Sequence, residues 1–198
     1  MIAIIDYNAG NLQNVYNALT YIGAECKITS DRAEIQKADK IILPGVGAFA
    51  YAYKSLTSGG IADTVKEQIS KGVPFLGICL GLQLLFEHSA EGDSPGLSVL
   101  KGTVERFSNN VIVPHIGWNS IEIKKDNPLL RGIDDGSYFY FVHSYYVIPE
   151  NKDVISTTTP YDGGFCSMIS KDNMFATQFH PEKSQKKGLQ FFKNFVNL

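Results

Sequence analysis

The run Val73-Pro74-Phe75-Leu76-Gly77-Ile78-Cys79-Leu80-Gly81-Leu82-Gln83 passes from a buried strand into a helix, through a cysteine set between glycines. Val73 to Ile78 is an almost unbroken apolar stretch, the mark of a strand covered on both faces. Leu80 to Phe86 then reads as the start of a helix. A Cβ on either flank of Ile78-Cys79-Leu80 would crowd the neighbouring strand and helix, so glycine suits both Gly77 and Gly81. This is the layout of a nucleophile elbow. A thiolate there would also meet free N–H groups and the positive end of the helix dipole. The same five residues fit a small buried cysteine beside an ordinary turn, so Cys79 needs partners from elsewhere in the chain.

Upstream, strand and helix patterns alternate. Ile2 to Ile5 is a short apolar run, followed by Leu12, Val15, Leu19 and Ile22 at helical spacing, with Gly23 as the stop. Cys26 to Thr29 predicts a second strand, and Lys40 to Leu43 a third, stopped by Pro44. Ile61, Val65 and Ile69 space a helix that ends before Gly72. This rhythm predicts an α/β fold of flavodoxin-like character, with a largely parallel sheet flanked by helices and ligands beyond the carboxyl ends of its strands.

Beyond about residue 88 the pattern changes. Segments 99–107, 120–123, 138–142, 154–159, 165–169 and 175–179 read as strands joined by Gly, Asn, Asp and Pro turns, which predicts an additional antiparallel layer. Leu189, Phe192 and Val196 give one apolar face to a closing helix. No repeat or linker interrupts the chain, so residues 1–198 are expected to form a single domain.

Composition narrows the class. With 198 residues, 44% apolar and 19% charged, the chain can bury roughly 70% of its unfolded surface. A net charge of −2 and the lack of a long basic run argue against nucleic acid and anionic membranes as partners, and Lys186-Lys187 reads as a solvated helix face. Three scattered cysteines, Cys26, Cys79 and Cys166, suit a reducing compartment. Met1 to Asp6 reads as a strand, not a secretory signal, and no apolar run reaches the ~18 residues of a membrane span. A cytoplasmic protein is expected.

Two further motifs supply partners for Cys79. In Gln178-Phe179-His180-Pro181-Glu182, Pro181 keeps His180 extended, so residues two apart face the same way and Glu182 can orient the imidazole. A cysteine nucleophile needs such a base, and the base needs such an orienting group. Leu43-Pro44-Gly45-Val46-Gly47-Ala48 is a Gly-rich loop after an apolar strand. Backbone N–H groups of Gly45-Val46-Gly47, with that of Leu80, could hold an oxyanion. No Lys-Ser or Lys-Thr follows those glycines, which excludes a P-loop.

Pro44-Gly45-Val46-Gly47, the run Gly77 to Gln83 and His180-Pro181-Glu182 resemble, in order and separation, the three signatures of class I (triad-type) glutamine amidotransferases. The resemblance covers nearly the whole chain. It implies a glutaminase with Cys79, His180 and Glu182 as its triad, acting through a glutamyl thioester without metal or organic cofactor. It also implies substrate contacts at Gln83, Ser144 and Tyr145. The stretches Asp6 to Leu12, Pro114 to Asn119, Tyr140 to Tyr145 and Lys183-Ser184 are similar to one branch of that family. In that branch the glutaminase passes ammonia to a separate cyclase chain, a (β/α)8 barrel.

Other residues read less sharply. His115 and His143 sit among aromatic and apolar residues, where a hydrogen-bonded structural histidine is expected. Cys79, His143 and His180 lack the short ligand spacing of a zinc site. Trp118 and Tyr140 are core by default, yet the resemblance puts this region against the partner, and Lys183, beside Glu182, is expected to contribute to partner binding. The rival readings are a glutaminase serving another acceptor, a triad cysteine peptidase of related fold, and a catalytically silent module.

Overall fold

A computed structural model describes all 198 residues. Strands β1 (Ile2–Ile5), β2 (Cys26–Thr29), β3 (Lys40–Gly45) and β4 (Phe75–Cys79) pair in parallel in the order β2-β1-β3-β4. Helices α1 (Leu12–Tyr21), α2 (Arg32–Lys37), α3 (Phe49–Ser58) and α4 (Ile61–Ser70) make the crossovers between them. Alternation within one strand explains why these runs are apolar throughout. Ala3 and Ile5 join one apolar cluster, while Ile2 and Ile4 join another. In α1, Val15 and Leu19 are fully buried, and burial of such a side chain contributes about 1.5–3 kcal/mol.

After the single-turn helix α5 (Leu80–Gln83) come the short strands β5 (His88–Ser89), β6 (Ser94–Pro95) and β9 (Glu122–Ile123) and the longer β7 (Gly102–Arg106) and β8 (His115–Ser120). They are followed by β10 (Tyr138–His143), β11 (Tyr145–Pro149), β12 (Ile155–Thr159), β13 (Phe165–Lys171), β14 (Met174–Thr177) and helix α6 (Gln185–Val196). Strand β14 runs parallel to β4 and antiparallel to β13, so the antiparallel half extends the same sheet, to twelve strands. The additional layer is the ribbon of β8 and β10, whose register sets His115 opposite His143 and Trp118 opposite Tyr140. No helix is long and apolar enough to cross a membrane.

Several sequence expectations need correction. Pro44 does not stop β3, which runs on to Gly45. The β1 ladder ends at Ile42, whereas pairing with β4 continues through Pro44↔Ile78 and Gly45↔Cys79, so the proline lies where one neighbour has already left. The helix after Cys79 ends at Gln83, not Phe86. The carbonyls of Leu84, Leu85 and Phe86 instead accept from the N–H groups of Leu97, Val99, Leu100 and Ser98, which ties the chain to a returning loop. Helices α2 and α3 went unassigned from sequence, although Phe49, Ala52 and Leu56 bury one face of α3 at helical spacing.

Candidate active site

At the end of β4 the backbone turns through Cys79, at φ 55° and ψ −106°. A non-glycine residue in such a conformation is strained and is held there by its surroundings. The clearances show why its neighbours are glycines. A Cβ on Gly77 would lie 2.7 Å from the Gly81 carbonyl oxygen, and one on Gly81 would lie 1.9 Å from that of Leu43. With α5 only one turn long, little macrodipole acts on the thiol. What remains is the N–H groups of the first turn, which have no partner within the helix, Leu80 among them.

His180 follows β14 and carries the expected extended backbone, at φ −103° and ψ 96°. Glu182 reaches it differently from the strand alternation anticipated. Pro181 opens a 3-10 turn, Pro181–Lys183, which folds the glutamate back so that Oε1 lies 2.7 Å from Nδ1 of His180. Both side chains are almost fully buried. Burial by itself would lower the pKa of His180, but the Cys79 sulfur and then Glu182 outweigh it and raise it to about 10. Nε2 has no hydrogen-bond partner of good geometry, although Cys79 lies close enough to act on its charge. Such contacts tighten when substrate binds.

A cavity of about 460 Å³ opens in front of Cys79, with Val46, Gly47, Leu80, Gln83 and Tyr145 among its lining. The Gly45↔Cys79 pairing of β3 with β4 brings the Gly-rich loop there. Ser144 and Tyr145 reach it from the junction of β10 and β11. Gln83 is nearly buried, and its Nε2 donates to the Tyr145 carbonyl at 2.9 Å and to Oε1 of Gln178 at 3.1 Å. Both amide protons are thereby engaged within the protein, leaving Oε1 as its free group.

Two residues without a role in the sequence reading enter the site. Glu91 lines the cavity, accepts from the Phe49 N–H at 3.2 Å, and has its pKa raised by burial. No local motif marks it. Gln178 is fully buried and lies beside the nucleophile, and its spacing of two from His180 in an extended segment was the available signal.

The structural reading of His115 and His143 is supported by their environment. His143 Nδ1 lies 2.8 Å from the Tyr145 carbonyl, and its Nε2 lies 3.1 Å from Nδ1 of His115. Burial pushes His143 down to about 3 and lowers His115 as well. Beside them the outer face of the β8–β10 ribbon carries Ile116, Trp118 and Tyr138, all exposed. Trp118 meets Tyr140 edge to face, and Nζ of Lys183 lies 5.5 Å from the Tyr140 ring centre.

On this sheet a strand-end cysteine thus lies close to a buried His–Glu pair. The family model described as glutamine amidotransferase class-I matches residues 3–198, and the chain belongs to that family. Among curated relatives, the imidazole glycerol phosphate synthase subunit HisH of Caldanaerobacter subterraneus subsp. tengcongensis is 53% identical, covering 100% of this chain and 98% of the relative. The HisH subunit of Methanocaldococcus jannaschii is 50% identical over 100% of both chains. Within the amidotransferases the chain thus belongs to the family of these HisH subunits. A crystal structure described as a glutamine amidotransferase shares the fold at 19% identity, with a TM-score of 0.78 over 100% of this chain and 98% of that one.

Proposed function

We propose that the chain hydrolyses glutamine at Cys79 and delivers the ammonia to a cyclase chain, a (β/α)8 barrel seated on the β8–β10 side. The observation that supports this reading is that Cys79 lines the cavity together with Val46 and Leu80 and lies close enough to the buried His180–Glu182 pair to act on its charge. The Cys79 thiolate attacks the γ-carboxamide carbon of glutamine. The developing oxyanion takes hydrogen bonds from the N–H groups of Val46 and Leu80. Imidazolium His180 protonates the leaving nitrogen, the C–N bond breaks, and ammonia departs from a glutamyl thioester. Neutral His180 then takes a proton from water, whose oxygen attacks the thioester. Glutamate leaves and the thiolate returns.

Around the reacting carbon, Gln83, Ser144 and Tyr145 hold the amino-acid end of the substrate. Glu91 is the one carboxylate in the cavity lining, so it pairs with the α-ammonium. Lys183, at the rim beside Tyr140, is assigned to an acidic residue of the partner, with Trp118 and Tyr140 packing against the barrel.

The test is nitrogen-source dependence in the reconstituted complex. Cys79→Ala should abolish synthesis from glutamine and leave synthesis from ammonium salts nearly intact, because only ammonia generation uses the thiolate. Equal failure with both nitrogen sources would assign Cys79 a structural role instead.

A further inference from the structure

The structure assigns Gln178 a catalytic part: its carboxamide is a fixed N–H donor to the Cys79 sulfur. This inference rests on Cys79 being the nucleophile. Gln178 is 0% exposed, and its Nε2 lies 3.5 Å from Sγ of Cys79. Oxygen and nitrogen of a side-chain amide are ordinarily assigned from the network around them. Here that network has a fixed starting point.

The Tyr145 carbonyl can only accept, so the Gln83 group 2.9 Å from it must be the NH₂. Its second proton points at Gln178, 3.1 Å away, and the facing atom there must therefore be oxygen. The remaining end of the Gln178 amide, turned to Cys79, is then the NH₂. The same carbonyl orders the histidines. It requires Nδ1–H on His143, which leaves Nε2 of His143 as the acceptor for Nδ1–H of His115. Every flip and tautomer around Tyr145 thus has one consistent solution, and it ends with a donor aimed at sulfur.

The backbone holds Gln178 in place independently. Its N–H donates to the Ser167 carbonyl at 2.9 Å, extending the β13–β14 ladder, so the side chain leaves the sheet on a fixed line. An N–H donor strengthens as its acceptor becomes charged, so it favours the thiolate over the thiol, and it keeps sulfur turned towards the cavity.

Gln178→Met and Gln178→Leu both keep the approximate volume and remove the N–H without adding a charge or an O–H donor. Alkylation of Cys79 by iodoacetamide, followed across pH on the full chain, reads the thiolate without any need for glutamine. Its outcome is therefore separate from whether glutamine is the substrate. The expected result at neutral pH is alkylation slowed about tenfold or more in both variants, as for a lost hydrogen bond to a charged group. The half-maximal point should move to higher pH, and in the complex kcat for glutamine should fall with KM little changed. If Gln178→Met does not fold, Gln178→Leu carries the test. Alkylation profiles that superimpose on the unsubstituted protein, in whichever variant folds, would overturn the assignment.

Discussion

Nδ1 of His180 and Oε1 of Glu182 lie 2.7 Å apart, with side chains only 1% and 2% exposed. In so dry a setting the carboxylate fixes which ring nitrogen carries the proton and stabilises the imidazolium that forms during turnover. Glu182→Gln keeps the shape and a hydrogen-bonding oxygen but loses the charge. We expect turnover of glutamine to fall by about 10²–10⁴, short of the loss in Cys79→Ala. Steady-state hydrolysis in the complex with the cyclase measures it, and a loss equal to that of Cys79→Ala would remove the orienting role.

Glu91 tests the substrate end of the cavity. Its carboxylate accepts from the N–H of Phe49, which begins α3, and Glu91 lines the cavity; we assign it to the α-ammonium of glutamine. Glu91→Gln should raise KM for glutamine about 10- to 100-fold while changing kcat less, as expected for a charge-assisted hydrogen bond formed equally in ground and transition states. An unchanged KM would place the ammonium elsewhere.

These two residues also mark how far the sequence could be read. Cys79, His180 and Glu182 are legible because glycine and proline around them leave the backbone few choices, even though the last link proved to be a 3-10 turn and not an extended strand. Glu91 is different. It reaches the cavity only because the chain turns back after Gln83 and lies near the start of α3, a contact across 42 residues that no local pattern encodes. The His115–His143 pair was legible as two buried histidines, but their contact depends on the β8–β10 register, which sequence alone left open.

The same pair gives a pH prediction for stability. His143 is held at about 3, against an ordinary 6.5, by burial. Between those values the unfolded chain binds a proton that the folded chain refuses, so stability rises with pH. The contribution is complete above about 6.5 and is lost as the pH falls towards 3, at no more than about 1.4 kcal/mol per unit. His180, raised to about 10, has the opposite sign and acts between 6.5 and 10, outside this window. His143→Gln can still donate to Tyr145 and accept from His115, so its melting temperature should fall less steeply between pH 7 and 4.5. Parallel slopes for the two proteins would assign the acid sensitivity to other groups.

The oxyanion loop carries the last prediction: the chain alone is a poor glutaminase, activated by the cyclase when that partner holds its nucleotide substrate. Gly45 and Gly47 differ in kind. A Cβ on Gly45 would lie 2.4 Å from the Tyr7 hydroxyl and 2.8 Å from Cβ of Leu80, so this glycine is required by close packing. Gly47 has open space around it but a φ of +106°, so this one is required by conformation. The Tyr7 hydroxyl also donates to the Pro44 carbonyl at 2.9 Å, which anchors the strand just before the loop. We therefore expect any reorientation at the peptide between Gly45 and Val46, with Gly47 as its hinge; Val46 is exposed beside the cavity. A resting loop that points this carbonyl at the site lacks one oxyanion donor, which costs about 10²–10³ in turnover. Partner and ligand must favour the turned loop by a comparable free energy. Glutamine hydrolysis should therefore rise by about that factor from the chain alone to the complex with cyclase and nucleotide. Equal turnover with and without the partner would leave Gly45-Val46-Gly47 as a fixed oxyanion hole.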